Sequence, residues 1–91
     1  AQKNPKEGYA NQVFMAMSLY ELEDYKNALS LLYSAAEDEE TVREYGYLIY
    51  CYASACFRML GENDKADDCL KGAKEIDAEN AEAYINSLLS K

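Results

Sequence analysis

The sequence predicts an all-α fold of about five antiparallel helices, and three observations carry that expectation. The first is a segment that occurs twice. Glu23-Asp24-Tyr25-Lys26-Asn27-Ala28 leads into Leu32 and Ala35, and Gly61-Glu62-Asn63-Asp64-Lys65-Ala66 leads into Leu70 and Ala73. An internal repeat of this kind signals helix pairs that stack because one pair cannot cover its own apolar face. The second is the scarcity of breakers: one proline and four glycines in 91 residues favour helices joined by short turns. The third is apolar spacing at three and four residues rather than alternation.

Taken in order, the first helix is expected to start at Asn4-Pro5. Asn4 suits an N-cap, and Pro5 suits the first helical position because its missing N–H has no partner there. Tyr9, Val13, Phe14, Met17, Leu19, Tyr20 and Leu22 carry helical spacing towards a stop near Glu23. The second helix starts at an Asp24 cap and places Tyr25, Ala28, Leu29, Leu32, Ala35 and Ala36 on one stripe. Four acids, Glu37 to Glu40, then oppose the macrodipole at a helix end, so the run is expected to fray into a loop. Thr41 and Glu44 have the spacing of a capping box for a third helix, about Val42 to Leu60. That helix is apolar nearly all round and must be central. Gly61 closes it in a left-handed conformation. A fourth helix, about Asp64 to Ile76, buries Ala66, Cys69, Leu70, Ala73 and Ile76. Asn80 caps a fifth, with Ala83, Tyr84, Leu88 and Leu89 inward. Small Ala28, Ala35, Ala66 and Ala73 let helices approach closely.

Charge and residue types narrow the function. The net charge is −8, from 17 acids and 9 bases. That balance excludes nucleic acid and anionic membranes, which need a basic footprint. No stretch is long and apolar enough to span a membrane. There is no histidine, which removes the Ser-His-Asp and Cys-His catalytic arrangements and the commonest zinc ligand. No phosphate-binding glycine loop and no paired acids in a recognisable cleft are present, so no enzyme, metal or cofactor is expected. The odd cysteine count of Cys51, Cys56 and Cys69 reads as small buried hydrophobes rather than a disulfide framework. The acid run lacks calcium-loop spacing. Asp64, Asp67 and Asp68 open a helix and read as structural, and Arg58 complements a helix C-terminus. Of nine tyrosines, Tyr45, Tyr47, Tyr50 and Tyr52 cluster in the third helix, and two or three are expected to pack between repeats with hydroxyls at the rim. The chain begins with Ala1. Ala1-Gln2-Lys3 reads equally as a terminus left by a signal peptidase or as a cloning boundary, so the location is cytoplasmic by default with export left open.

These residues resemble the tetratricopeptide repeat family, over about residues 9–89. Its second helix opens on a Gly-Asp-Tyr-x-x-Ala type motif, which Glu23–Ala28 and Gly61–Ala66 look like. Ile76-Asp77-Ala78-Glu79-Asn80 looks like its Asp-Pro-x-Asn turn into the next repeat, with Tyr84 in place of the large aromatic. Glu23 departs from the turn glycine, Ala78 from the proline, and Ser54 from the usual glycine or alanine. The resemblance implies one domain, 1–91, winding as a right-handed superhelix: repeat 1 about 9–40, repeat 2 about 42–77, and a partial repeat or capping helix about 80–90. The 38-residue offset exceeds the common period of about 34, and the excess falls in the acidic loop and the start of the third helix.

The resemblance also implies a concave groove, lined by the first helix of each pair, that holds a partner segment. The groove candidates are Val13, Met17 and Tyr20, then Cys51, Ala55 and Met59, then Glu82 and Ile85. The expected function is a non-enzymatic protein–protein interaction module whose protein or peptide partner is apolar in the middle and basic at the edge. The alternative is an assembly fragment that self-associates or stacks in a longer array, or whose groove is covered by the Ala1–Gly8 segment. A family subset clamps acidic chaperone tails with Lys, Asn and Arg. The matching places here hold Val13, Met17, Tyr52, Glu82 and Asn86, so no such tail is expected to bind.

Overall fold

The computed structural model describes residues 5–90, with side chains from residue 8. The Asn4 cap, the Ala1-Gln2-Lys3 terminus and with them the first half of the Ala1–Gly8 cover lie outside the described residues. Within them the chain is all-helical, with no strand. Its elements are α1 (Pro5–Glu21), α2 (Tyr25–Ala35), α3 (Glu39–Met59), α4 (Asn63–Ile76) and α5 (Ala81–Leu89). α1 pairs with α2 and α3 with α4, and α3 touches all four other helices. The all-round apolar pattern has that cause: Cys51 to Phe57 are buried without interruption.

The two hairpin turns share one backbone solution. In the first, the Asp24 N–H donates to the Leu19 carbonyl at 2.9 Å and the Glu23 N–H to Tyr20 at 2.9 Å. In the second, the Glu62 N–H donates to Phe57 at 2.9 Å and the Gly61 N–H to Arg58 at 3.1 Å. Both are Schellman closures, which place one residue in the left-handed region. That residue is Gly61 at φ 82° in one turn and Glu23 at φ 64° in the other. Small residues then bring the paired helices together. Ala16, Ala28 and Ala35 are fully buried in the first pair, and Ala66 and Ala73 in the second. Ser54 is tolerated in that crossing because its hydroxyl donates to the Ala66 carbonyl at 2.8 Å.

Local expectations needed correction at several points. The acid run is loop only in its first half: Glu37 and Asp38 lie in the turn, while Glu39 and Glu40 are helical. α3 begins at Glu39, and the Asp38 carboxylate accepts from the Thr41 N–H at 3.0 Å and the Thr41 hydroxyl at 2.8 Å. Asp38 is therefore the cap in place of Thr41. Glu39 and Glu40 sit in the first turn, where their charge favours the dipole. Asp24 and Asn80 stand at cap positions but make no capping bond. Asp24 accepts from the Asn27 amide at 2.8 Å, and Asn80 donates its own amide to Asp77 at 3.0 Å. In α5 the inward residues are Ala81, Ile85 and Leu88, while Ala83 faces solvent. Phe14, Leu22, Ala36 and Ile76 are exposed despite lying on expected stripes.

Candidate functional site

The eight groove candidates divide sharply. Val13, Cys51 and Ala55 are fully buried, and Tyr20 and Ile85 nearly so. Met17 is half-buried, Met59 is exposed, and Glu82 is exposed and paired with Lys74 at 3.2 Å. The expectation of an open concave groove is therefore corrected for five of the eight: they belong to the core.

A row of tyrosines closes that face. Tyr20 of α1 meets Tyr52 of α3 edge to face at 5.5 Å, and Tyr52 meets Tyr84 of α5 at 6.4 Å. Tyr25 extends the row on one side at 5.4 Å from Tyr20, and Tyr47 on the other at 5.7 Å from Tyr84. Edge-to-face contact aligns the positive ring edge with the negative face, which makes such pairs stronger than their area alone. The Tyr20 hydroxyl donates to the Leu88 carbonyl at 3.0 Å and so bridges α1 to α5. The tyrosines thus pack between elements, and the Tyr20 hydroxyl is bound inside.

Burial dominates the titration of these groups. It pushes Tyr20 and Tyr47 up to about 12 each, with the neighbouring Tyr25 and Cys51 adding to it respectively. Tyr52 is raised as well. Cys51 rises to about 11 and Cys56 to about 12, again chiefly through burial, and Cys69 moves the same way. Thiols held protonated are poor nucleophiles and poor metal ligands. All three cysteines are free, and among the described residues no group of His, Cys, Asp and Glu could hold a metal ion.

What stays open on this face is its lower end. There a cleft of about 200 Å³ is bounded by the rings of Tyr20 and Tyr25, by Met59, Leu88 and Leu89, and by Glu21 and Glu23. It joins two of the groove candidates, Tyr20 and Met59, to Tyr25, Leu88 and Leu89 from the expected apolar stripes and to Glu21 and Glu23. Beside it, Leu22 in the turn is 76% exposed, more than any other large hydrophobic described, and Met59 is 47% exposed. A second, apolar cleft of about 100 Å³ lies between α2 and α4 over α3. It is walled by Tyr33, Tyr50 and Cys69. Tyr50 reaches it by lying against Gly72, where a Cβ would come within 2.6 Å of the ring. Tyr33 escaped the sequence reading because it falls off the stripe of Ala28, Leu32 and Ala35. Its signal was a large aromatic on a face where the neighbours are polar.

Among the described residues no helix is long and apolar enough to cross a membrane. Comparison of the chain with protein-family models, curated proteins and solved structures gives no match.

Proposed function

We propose that this chain is a non-enzymatic protein-interaction module that engages a partner segment at the open end of its α1–α3–α5 face. The observation that carries the reading is the cleft lined by Tyr20 and Met59, with Met59 exposed in it and Leu22 exposed in the turn between its lining residues Glu21 and Glu23. Exposed large apolar side chains grouped around a concavity favour association over a solvated role. Methionine suits an adaptable contact and tyrosine a rigid anchor. The two Schellman turns, 38 residues apart, support a tetratricopeptide-like helix-pair plan beneath it. Raised thiol values and the lack of histidine favour binding over catalysis.

The test is affinity capture from a lysate with wild-type chain and with Leu22→Asp/Met59→Glu. Both positions are exposed, so the variant is expected to keep its helicity by circular dichroism. A partner retained by wild type and lost by the variant is the expected result. Equal capture by both removes this end of the molecule from the reading. Tyr20→Ala is unsuitable here, because Tyr20 is core and its loss costs about 3–5 kcal/mol.

The second reading is self-association or stacking, favoured by a different observation. Phe14 and Met15 are 46% and 56% exposed on α1, and Tyr33 is 61% exposed on α2. Concentration-dependent oligomers in sedimentation equilibrium, abolished by Met15→Glu, are its expected signature.

A further inference from the structure

Helix α1 has no charged face along most of its length. From Gly8 to Tyr20 the sequence carries no charged residue, whereas a surface helix ordinarily sets charged and polar groups opposite its core stripe. Val13, Ala16 and Tyr20 form that core stripe. The residues left outward before Glu21 are Asn11, Phe14, Met15 and Ser18, and Leu22 continues their line one residue past the helix. They recur at intervals of three and four, so they make a second continuous stripe. Leu22 stays on it because its N–H still donates to the Ser18 carbonyl at 3.1 Å, as within a helix. Phe14 is held in place by Tyr45 of α3, edge to face at 5.5 Å.

Among the described side chains no other helix is built this way. Exposed charge interrupts α2 at Lys26, α3 at Arg43 and Glu44, α4 at Asp64, Asp67 and Asp68, and α5 at Glu82. The whole chain carries a net −8, so two copies repel one another on approach. The α1 stripe is the helix face on which they can meet without setting like charges directly against each other.

The stripe is also complementary to itself. Ser18 lies at its middle, four residues after Phe14 and four before Leu22. Two α1 helices crossing antiparallel at Ser18 place Phe14 of each copy against Leu22 of the other. The small Ser18 side chains let the helix axes approach to about 8–10 Å.

We propose that a second copy of this chain covers the stripe, in a closed dimer whose twofold axis passes beside Ser18. The inference rests on the self-association reading above and decides its form. The contact is isologous, so it uses up the patch and ends at two copies instead of stacking further. Phe14, Met15 and Leu22 offer on the order of 300 Å² of apolar surface per copy, below the roughly 800 Å² of a standard interface. The dimer is therefore weak and concentration-dependent, with a dissociation constant on the order of 100 μM.

The test is sedimentation equilibrium of the intact chain. Wild type is expected to pass from monomer to dimer with no larger species. It should pair more strongly as salt is raised, because salt screens the acidic charge that holds the copies apart. Ser18→Glu and Ser18→Lys each set like charges across the twofold axis and are expected to weaken the dimer roughly tenfold or more. Ser18 is exposed, so both variants should keep their helicity by circular dichroism. Mixed in equal amounts, the two variants should recover pairing as a one-to-one heterodimer. Tyr33→Glu, on α2, should leave the dimer unchanged. A mixture that stays monomeric, species larger than a dimer, or dimers that survive either Ser18 change overturn this inference and leave self-association to another face. A monomer at every concentration overturns both. Ser18 does not line the cleft beside Met59, so lysate capture by the Ser18 variants reports on the partner-binding reading separately.

Discussion

At the scale of single residues, the most consequential position is Glu23. The sequence shows that a glycine is missing from the first turn, and the structure shows the backbone going left-handed there regardless. Glu23→Gly is therefore expected to raise stability by about 0.5–1 kcal/mol, read as a higher urea midpoint. A lower midpoint would show that the turn holds no strain. Ser54 teaches the converse lesson. It stands where a small apolar residue is usual, and its hydroxyl is bonded to the Ala66 carbonyl across the crossing. Residue identity revealed the departure at both sites. It could not say whether the backbone or the side chain would absorb it, because that depends on neighbours supplied by another helix.

At the scale of elements, the five helices were legible because burial and period coincide. Ala28, Leu32, Ala35, Ala66 and Ala73 lie on predicted stripes and are buried in the structure. The start of α3 was not legible. Thr41 with Glu44 has the spacing of a capping box, but Asp38 lies three residues earlier and competes for the same N–H. The chain takes the earlier cap because it turns two frayed acids into first-turn residues that favour the dipole. Asp38→Ala is expected to cost about 1 kcal/mol and to fray α3 as far as Thr41. Amide hydrogen exchange should then quicken at Thr41 and Val42 while Cys51 to Phe57 remain protected. In α5, Tyr84, Leu88 and Leu89 pack on the core as expected, and Ala83 alone departs. Ile85 and Leu88 point inward with Ala81, four and seven residues from it, whereas Ala83 falls on the opposite face.

At the scale of the whole molecule, the interior is held together by groups that must stay neutral. Folding raises Cys51 from 9.0 to about 11 and Cys56 to about 12, and raises Tyr20 and Tyr47 from 10.0 to about 12. Between the unfolded and folded values the folded chain binds more protons than the unfolded one, so stability falls as pH rises. The contribution is whole below about pH 9, where all four groups are protonated in both states, and is lost as pH climbs towards about 12. The urea midpoint is expected to decline from about pH 9 upward, with tyrosinate absorbance appearing together with loss of helicity. A midpoint unchanged up to about pH 11 would contradict it. The concave candidates were only half legible at this scale. Sequence spacing placed Val13, Cys51, Ala55 and Ile85 on the right side of the helices, but closure of that side depends on the Tyr20–Tyr52–Tyr84 row, a contact among three separate elements. The Tyr20 hydroxyl finds its acceptor on a residue 68 positions later. During synthesis on a ribosome, the first hairpin therefore emerges with this phenol unanswered. The native interior is completed only when the fifth helix leaves the exit tunnel, so a stalled nascent chain ending before Leu88 is left with an open aromatic face.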